Sequence, residues 1–146
     1  MSTRALVVTG NGKGTAGYGI GKGSSETEAV ARATRNAKKD LHYAERYMGS
    51  GILHDITGKH NGCRVNIVRR PPGSGMKAGR ITETILQSFG ITDVSAKAIG
   101  RRNPFSVVYA TFNAIYTLRG IQDVAMSRGK RILSLHRYKQ TGVPPV

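Results

Sequence analysis

Gly10-Asn11-Gly12-Lys13-Gly14, followed by Ala16-Gly17-Tyr18-Gly19-Ile20-Gly21-Lys22, decides how the chain begins to fold. An Asn-Gly pair between two extended stretches signals a hairpin, because these residues tolerate the positive φ of a tight turn. Before it, Arg4 to Thr9 reads as a strand with a β-branched apolar centre. After it, Ala16 to Lys22 reads as the returning strand. Glycines at 17, 19 and 21 alternate there with Tyr18 and Ile20. One face is therefore nearly bare, and a helix or another backbone can approach it closely. The next segment supplies the helix. Ser24 or Ser25 is placed to cap it, with Glu26 and Glu28 in the first turn, where the dipole favours negative charge. The helix is expected to run to about Met48. Val30, Ala33, Ala37, Leu41, Ala44 and Met48 would form its apolar stripe, and Arg32, Arg35, Lys39, His42 and Arg46 a basic stripe opposite.

Gly49-Ser50-Gly51 interrupts this pattern. It divides an expected domain over residues 1–49 from a second over 50–126, with a basic tail over 127–146. In the second part Ile52 to Thr57 and Arg64 to Arg69 read as strands, with Gly58 to Gly62 as the turn. Pro71-Pro72-Gly73-Ser74-Gly75 excludes regular structure. Ala78, Ile81, Ile85 and Phe89 mark a helix that stops at Gly90. Asp93 to Ile99 reads as a strand. Asn103 is a candidate N-cap and Pro104 suits the first helical position, for a helix reaching about Leu118. Ile121 to Met126 is a candidate short helix. The tail carries Lys130, Arg131, Arg137 and Lys139, and is expected to be extended unless a partner holds it. The fold class is α+β.

The formal net charge is +15. Such a charge repels itself in a compact state, and a polyanion is the simplest compensation. Nucleic acid is favoured over a membrane surface, because no apolar run is long enough to span a bilayer. The single cysteine, Cys63, leaves no internal disulfide and fits a reducing compartment, the mitochondrial matrix included. It reads as a small buried or half-buried residue. Gly12 to Gly17 matches G-x-G-x-x-G, but the dinucleotide reading needs a helix where a second strand follows. The nucleotide P-loop fails too, since Gly21-Lys22 is followed by Gly23. The histidines at 42, 54, 60 and 136 are scattered, and no nucleophile, base and orienter come together. Neither catalysis, a metal nor a cofactor is expected.

Basic residues are the candidate site. Lys13 rides a glycine-rich tip that can bring amides and an ammonium close to phosphate. Lys22 and the stripe Arg32, Arg35, Lys39 and Arg46 would carry further phosphate contacts, because the face holds almost no acids beyond its first turn. In the second part Arg64, Arg69, Arg70, Arg101 and Arg102 are candidates for RNA or protein contacts. The Pro-Pro-Gly-Ser-Gly loop has two open readings, a phosphate loop ahead of a helix or a plain connection. Arg69, Arg70, Lys77 and Arg80 flank it.

These pieces in order resemble the small-subunit ribosomal protein five family. They are Ala5-Leu6-Val7-Val8-Thr9-Gly10-Asn11-Gly12-Lys13-Gly14, Gly17-Tyr18-Gly19-Ile20-Gly21-Lys22, Arg70-Pro71-Pro72-Gly73-Ser74-Gly75, Asp93-Val94-Ser95-Ala96-Lys97-Ala98-Ile99-Gly100, Asn103-Pro104 and Val108-Tyr109-Ala110-Thr111-Phe112. The resemblance covers residues 4–130. It implies a double-stranded-RNA-binding-like sheet with a helix packed on it, then a βαβα domain with a left-handed crossover. It implies rRNA binding, protein-four and protein-eight neighbours, a place near where mRNA enters, and an influence on decoding accuracy. Gly73, Ser74 and Gly75, with Lys77 and Arg80, would face the protein-four neighbour. Lys77 and Arg80 depart from the apolar or glycine residues of the bacterial pattern. The family's strand and basic arm ahead of the counterpart of Arg4 are missing, so this numbering is expected to begin inside a longer protein. The segment Leu41 to Tyr47, with Leu53-His54-Asp55-Ile56, looks closer to the mitochondrial branch, a bacterial cytoplasm being the alternative. The rival functions are a free-standing double-stranded-RNA binder and, by fold analogy alone, a small-molecule kinase.

Overall fold

The structure is a computed structural model and describes residues 1–132. β1 (Thr3–Gly10) and β2 (Thr15–Gly23) pair antiparallel, with Leu6 opposite Ile20 and Val8 opposite Tyr18. Between them Gly12 and Gly14 take φ of 69° and 103°. The Asn11 carboxamide oxygen accepts from the amides of Lys13 (2.7 Å) and Thr15 (3.2 Å) and fixes the loop.

α1 (Glu26–Lys39) opens on a reciprocal cap. The Ser25 hydroxyl accepts from the Glu28 amide, and the Glu28 carboxylate accepts from the Ser24 amide and hydroxyl. The helix lies on the glycine face of β2. A Cβ on Gly19 would stand 2.4 Å from the Ala33 carbonyl oxygen and the Ala37 nitrogen, and one on Gly21 would stand 2.4 Å from the Ala33 nitrogen. Backbone meets backbone, so the helix can bury only its smallest side chains. Those are Ala29, Ala33 and Ala37, spaced four apart and all fully buried. Two long polar side chains lock the contact: Asn36 Nδ2 donates to the Ile20 carbonyl (2.8 Å) and Arg32 Nη1 to that of Lys22 (2.8 Å).

This corrects the expected helix. It ends at Lys39, not Met48. His42–Tyr43 form β3, which pairs with Thr15 and Ala16 along the free edge of β2. The backbone groups of that edge outweigh further helix, and the Ala44 amide continues the pairing by donating to the Gly14 carbonyl at 2.7 Å. The expected stripe was also displaced. Val30, Leu41 and Met48 are exposed and Ala29 is buried, because the contact selects for smallness rather than hydrophobicity.

The second sheet contains β4 (Ile56–His60), β5 (Cys63–Arg69) and β6 (Val94–Gly100), in the order β4-β5-β6 and antiparallel throughout. The expected strand Ile52 to Thr57 thus begins four residues further on and ends three further on, and the expected turn over 58–62 shrinks to Asn61-Gly62. These two take φ of 44° and 79°, as a two-residue hairpin requires. Gly58 is a strand residue, and α3 (Pro104–Tyr116) crosses it so closely that a Cβ there would meet the Ala110 carbonyl oxygen at 1.9 Å. α2 (Arg80–Phe89) stops at Gly90, whose φ is 81°. A parallel bridge joins Lys77 to Ser95 on the side of β6 away from β5, so α2 is the crossover between two parallel segments. Asn103 caps α3 by accepting from the Phe105 amide at 3.1 Å. α4 (Ile121–Arg128) runs two residues past its expected end. The tail beyond Ile132, with Arg137 and Lys139, lies outside the described residues.

One core serves both sheets. Phe89, Phe112, Ile67, Ile85, Leu86 and Ile115 are buried in it, and Leu6, Val8 and Tyr18 of the first sheet pack against it. The rings of Tyr18 and Phe112 lie 4.7 Å apart, and those of Tyr18 and Tyr109 5.2 Å in an edge contact. The first sheet is therefore covered on both faces, by α1 on its glycine face and by the second half on the other. At its tip the Gly12 and Gly14 amides donate to the Ser88 (3.0 Å) and Phe89 (2.8 Å) carbonyls at the end of α2.

Candidate nucleic-acid interface

Those tip bonds change the reading of the glycine-rich loop. The amides of residues 12, 13, 14 and 15 are all used, two to close the last turn of α2 and two on Asn11. The loop is an internal joint. Only the exposed Lys13 side chain remains for an outside anion.

On α1, Arg35 and Lys39 are exposed as expected, and Lys38 joins them on the last turn. Arg32 is exposed but engaged. Its guanidinium holds Glu28, an acid of the first turn, at 2.6 Å. The Ser24 hydroxyl and amide, then Arg32, hold the Glu28 carboxyl below its usual range. Lys22 is not on this surface. The glycines alternating with it face α1, so its side chain leaves from the opposite face of the sheet, beside Arg4. Arg46 is off the helix altogether, half-buried, with Nη1 on the Gly49 carbonyl at 2.7 Å. It braces a loop.

In the second half, Arg64 projects from the outer face of the sheet with Lys59 directly opposite. Lys59 and Lys97 were missed, although both are the exposed alternates of their strands. The Arg69 amide donates to Asp55 Oδ1 (2.9 Å) and its guanidinium to the Leu53 carbonyl (3.0 Å). Arg70 is half-buried and reaches the Gly75 carbonyl at 3.4 Å. Both arginines secure loops. Arg101 and Arg102 stand exposed just ahead of α3. Arg4, which the sequence reading passed over, lies with its guanidinium 5.0 Å from the centre of the Phe105 ring.

The Pro71–Gly75 loop is organised by Asp93, only 5% exposed. Its carboxylate accepts from the Ser50 hydroxyl and, at 3.2 Å, from the Gly75 amide. The Ser50 hydroxyl, the Gly73 and Gly75 amides and the nearby Arg70 outweigh burial and hold the carboxyl below its usual range. The loop's amides therefore point inward at a carboxylate. This closes the phosphate-loop reading and leaves a stiff turn, with Gly73 and Ser74 exposed and Gly73 and Gly75 at φ of 82° and 77°. Lys77 and Arg80 are exposed beside it. Elsewhere His54 is occupied, accepting the Arg119 amide on Nε2 at 3.1 Å. Cys63 is buried, and burial pushes its thiol up, away from nucleophilic character.

Among the described residues one ion pair forms, Arg32 with Glu28. With Arg70 lying near Asp93 as well, most of the other described cations face no carboxylate, so the chain is a basic α+β scaffold of the kind that sits on a polyanion. Residues 1–45 match the family profile "Ribosomal protein S5, N-terminal domain" and residues 58–128 match "Ribosomal protein S5, C-terminal domain". Curated relatives carry the name small ribosomal subunit protein uS5. That of Rhodopseudomonas palustris (strain TIE-1) is 37% identical over 138 residues, 94% of this chain and 72% of the relative. That of Bartonella bacilliformis is 36% identical over 136 residues, 93% and 72%. That of Rhizorhabdus wittichii is 39% identical over 131 residues, 90% of this chain and 55% of the relative, so the chain spans about half of that protein. The chain belongs to the ribosomal protein S5 family, a family of ribosomal structural proteins and not of enzymes. The kinase analogy is thereby set aside.

Proposed function

We propose that this chain is a structural constituent of the small ribosomal subunit, binding rRNA and neighbouring ribosomal proteins. The observation that carries the proposal is the match of both halves to one ribosomal family, on a chain with a net charge of +15 and, among the described residues, one ion pair. Lys13, Arg35, Lys38 and Lys39 in the first half, and Arg64, Arg101 and Arg102 in the second, are the residues for phosphate. The stiff 73–75 turn, with Lys77 and Arg80, is the face for the protein-four neighbour. The protein-eight neighbour and a position near the path of incoming mRNA complete the placement. Residues 1–49 and 50–126 act as the two domains, joined by their shared core.

The ribosome is of bacterial type, as in the relatives. The mitochondrial matrix is the compartment suggested by the segments Leu41 to Tyr47 and Leu53 to Ile56, and a bacterial cytoplasm is the one suggested by the relatives. Affinity purification of the tagged full chain tests the function. Recovery of small-subunit rRNA with its ribosomal proteins is expected. Recovery of double-stranded RNA with no ribosomal protein would instead establish a free-standing RNA binder.

A further inference from the structure

Arg4 and Lys22 stand directly opposite each other across β1 and β2. Both leave the sheet on the face away from α1, since the neighbouring Gly21 faces that helix. Two like charges facing each other across a ladder are unfavourable by themselves. Among the described residues no carboxylate pairs with either of them. The side-chain nitrogens of Arg4 and Lys22 make no hydrogen bond or ion pair among the described residues, and the first turn of α3, against which Arg4 packs, contains no acid. The second half adds to the problem. The segment leading into α3 is Arg101-Arg102-Asn103, with Phe105 under Arg4. The Arg101 backbone amide donates to the Gly62 carbonyl at 3.1 Å, and the side chains of Arg101 and Arg102 are likewise exposed and have no hydrogen bond or ion pair among the described residues. Arg4 and Lys22 thus share one end of the first sheet, Arg4 lies over Phe105, and Arg101 and Arg102 precede that ring by four and three residues.

We infer that Arg4, Lys22, Arg101 and Arg102 form one phosphate-binding seam, occupied by a single run of RNA backbone that crosses from the first sheet to the start of α3. This rests on the ribosomal reading and adds a partner surface to it. The seam offers no large exposed apolar side chain of the kind that anchors a protein partner, because Phe105 is only partly exposed and is covered by Arg4. Its chemistry is charge alone, which fits a phosphodiester chain. Bound across the joint, such a chain would also fix the two halves to each other, a role that neither half fulfils alone.

The test uses the tagged full chain in assembled small subunits. Lys22→Gln and Arg102→Gln, singly and together, are compared with wild type during washes of rising salt. Each loss should bring release at lower salt, the slope of log affinity against log salt falling by about one per lost phosphate contact. In parallel, hydroxyl radicals are generated from probes tethered at Lys22→Cys and Arg102→Cys, and both should cut within one short run of small-subunit rRNA. Wild-type release profiles for the double variant, or cuts in two unrelated regions, would overturn the seam while leaving the ribosomal reading intact. Failure of wild-type chain to be retained on small subunits would overturn the ribosomal reading itself, and the seam with it.

Discussion

Gly19→Ala adds one carbon to β2, and it has nowhere to go. The new Cβ would stand 2.4 Å from both the Ala33 carbonyl oxygen and the Ala37 nitrogen, 1.0 Å inside the 3.4 Å at which ordinary contact begins. Both atoms belong to the main chain of α1, so no side chain can rotate aside. The helix must move outward, and Ala29, Ala33 and Ala37 then leave a contact in which all three are fully buried. Overpacking by a methyl costs about 1–3 kcal/mol, and a rigid backbone obstacle puts this site at the upper end. The reduced freedom of the unfolded chain returns about 0.4–1 kcal/mol. A net loss of about 2 kcal/mol is expected, and about 3 for Gly58→Ala, where the approach is closer. Ala33→Gly should not rescue Gly19→Ala, because the obstacle is not a side chain. Gly79→Ser provides the opposite control. Gly79 is the N-cap of α2, extended at φ −66°, with no side-chain cap and nothing within 4 Å of an added Cβ. A gain of a few tenths of a kcal/mol is expected there. Urea unfolding of the full chain measures all four. Gly19→Ala within about 0.5 kcal/mol of wild type would refute the account of why this strand is built from glycine.

Asp93→Asn should destabilise the chain by about 1–3 kcal/mol at neutral pH, because it weakens the bonds from Ser50 and from the loop amides. The folded carboxyl is held below its unfolded value, so its contribution is present above an unfolded pKa of about 3.9 and fades as pH falls through the folded one. The gap between wild type and variant, followed by thermal melts, should therefore narrow below about pH 4. Phe112→Ala should cost about 3–5 kcal/mol by emptying the joint beside Tyr18 and Phe89, and equal losses of first-half and second-half signals on melting would confirm one core. Charge reversal of Arg35 and Lys39 together should lower incorporation into small subunits without changing the melt, whereas Arg46→Gln should lower the melt through loss of its loop bond. Quantitative mass spectrometry of subunits and calorimetry separate the two effects.

The glycine face of β2 was legible in the sequence, since alternation with Tyr18 and Ile20 demands a close neighbour. Which helix face would meet it was less so. Ranking residues by hydrophobicity favoured Val30 and Leu41, while the actual contact, backbone on backbone, admits only alanine. The early end of α1 depends on a tertiary event, the pairing of His42 and Tyr43 with the edge of β2, and no local signal at Asp40 announces it. Gly58 has the same character, because a glycine that serves helix approach looks in sequence like a turn glycine. The Asn61-Gly62 pair carried the true turn signal. For the candidate site, exposed cations on strands and helices could be named, but not what each does. Arg46, Arg69 and Arg70 are spent on carbonyls, and that is set by where distant loops arrive. Lys22 changes face through the parity of its strand, and Arg4 becomes relevant only once Phe105 is folded beneath it.

The central claim is that this chain is built into a small ribosomal subunit. Sucrose-gradient fractionation of cell and mitochondrial lysates, probed for the chain at moderate and high salt, tests it most directly. Co-sedimentation with the small subunit that persists at high salt is the predicted result, and the lysate that contains the peak identifies the compartment. Recovery of the chain in the top fractions already at moderate salt, in both lysates, would contradict the account.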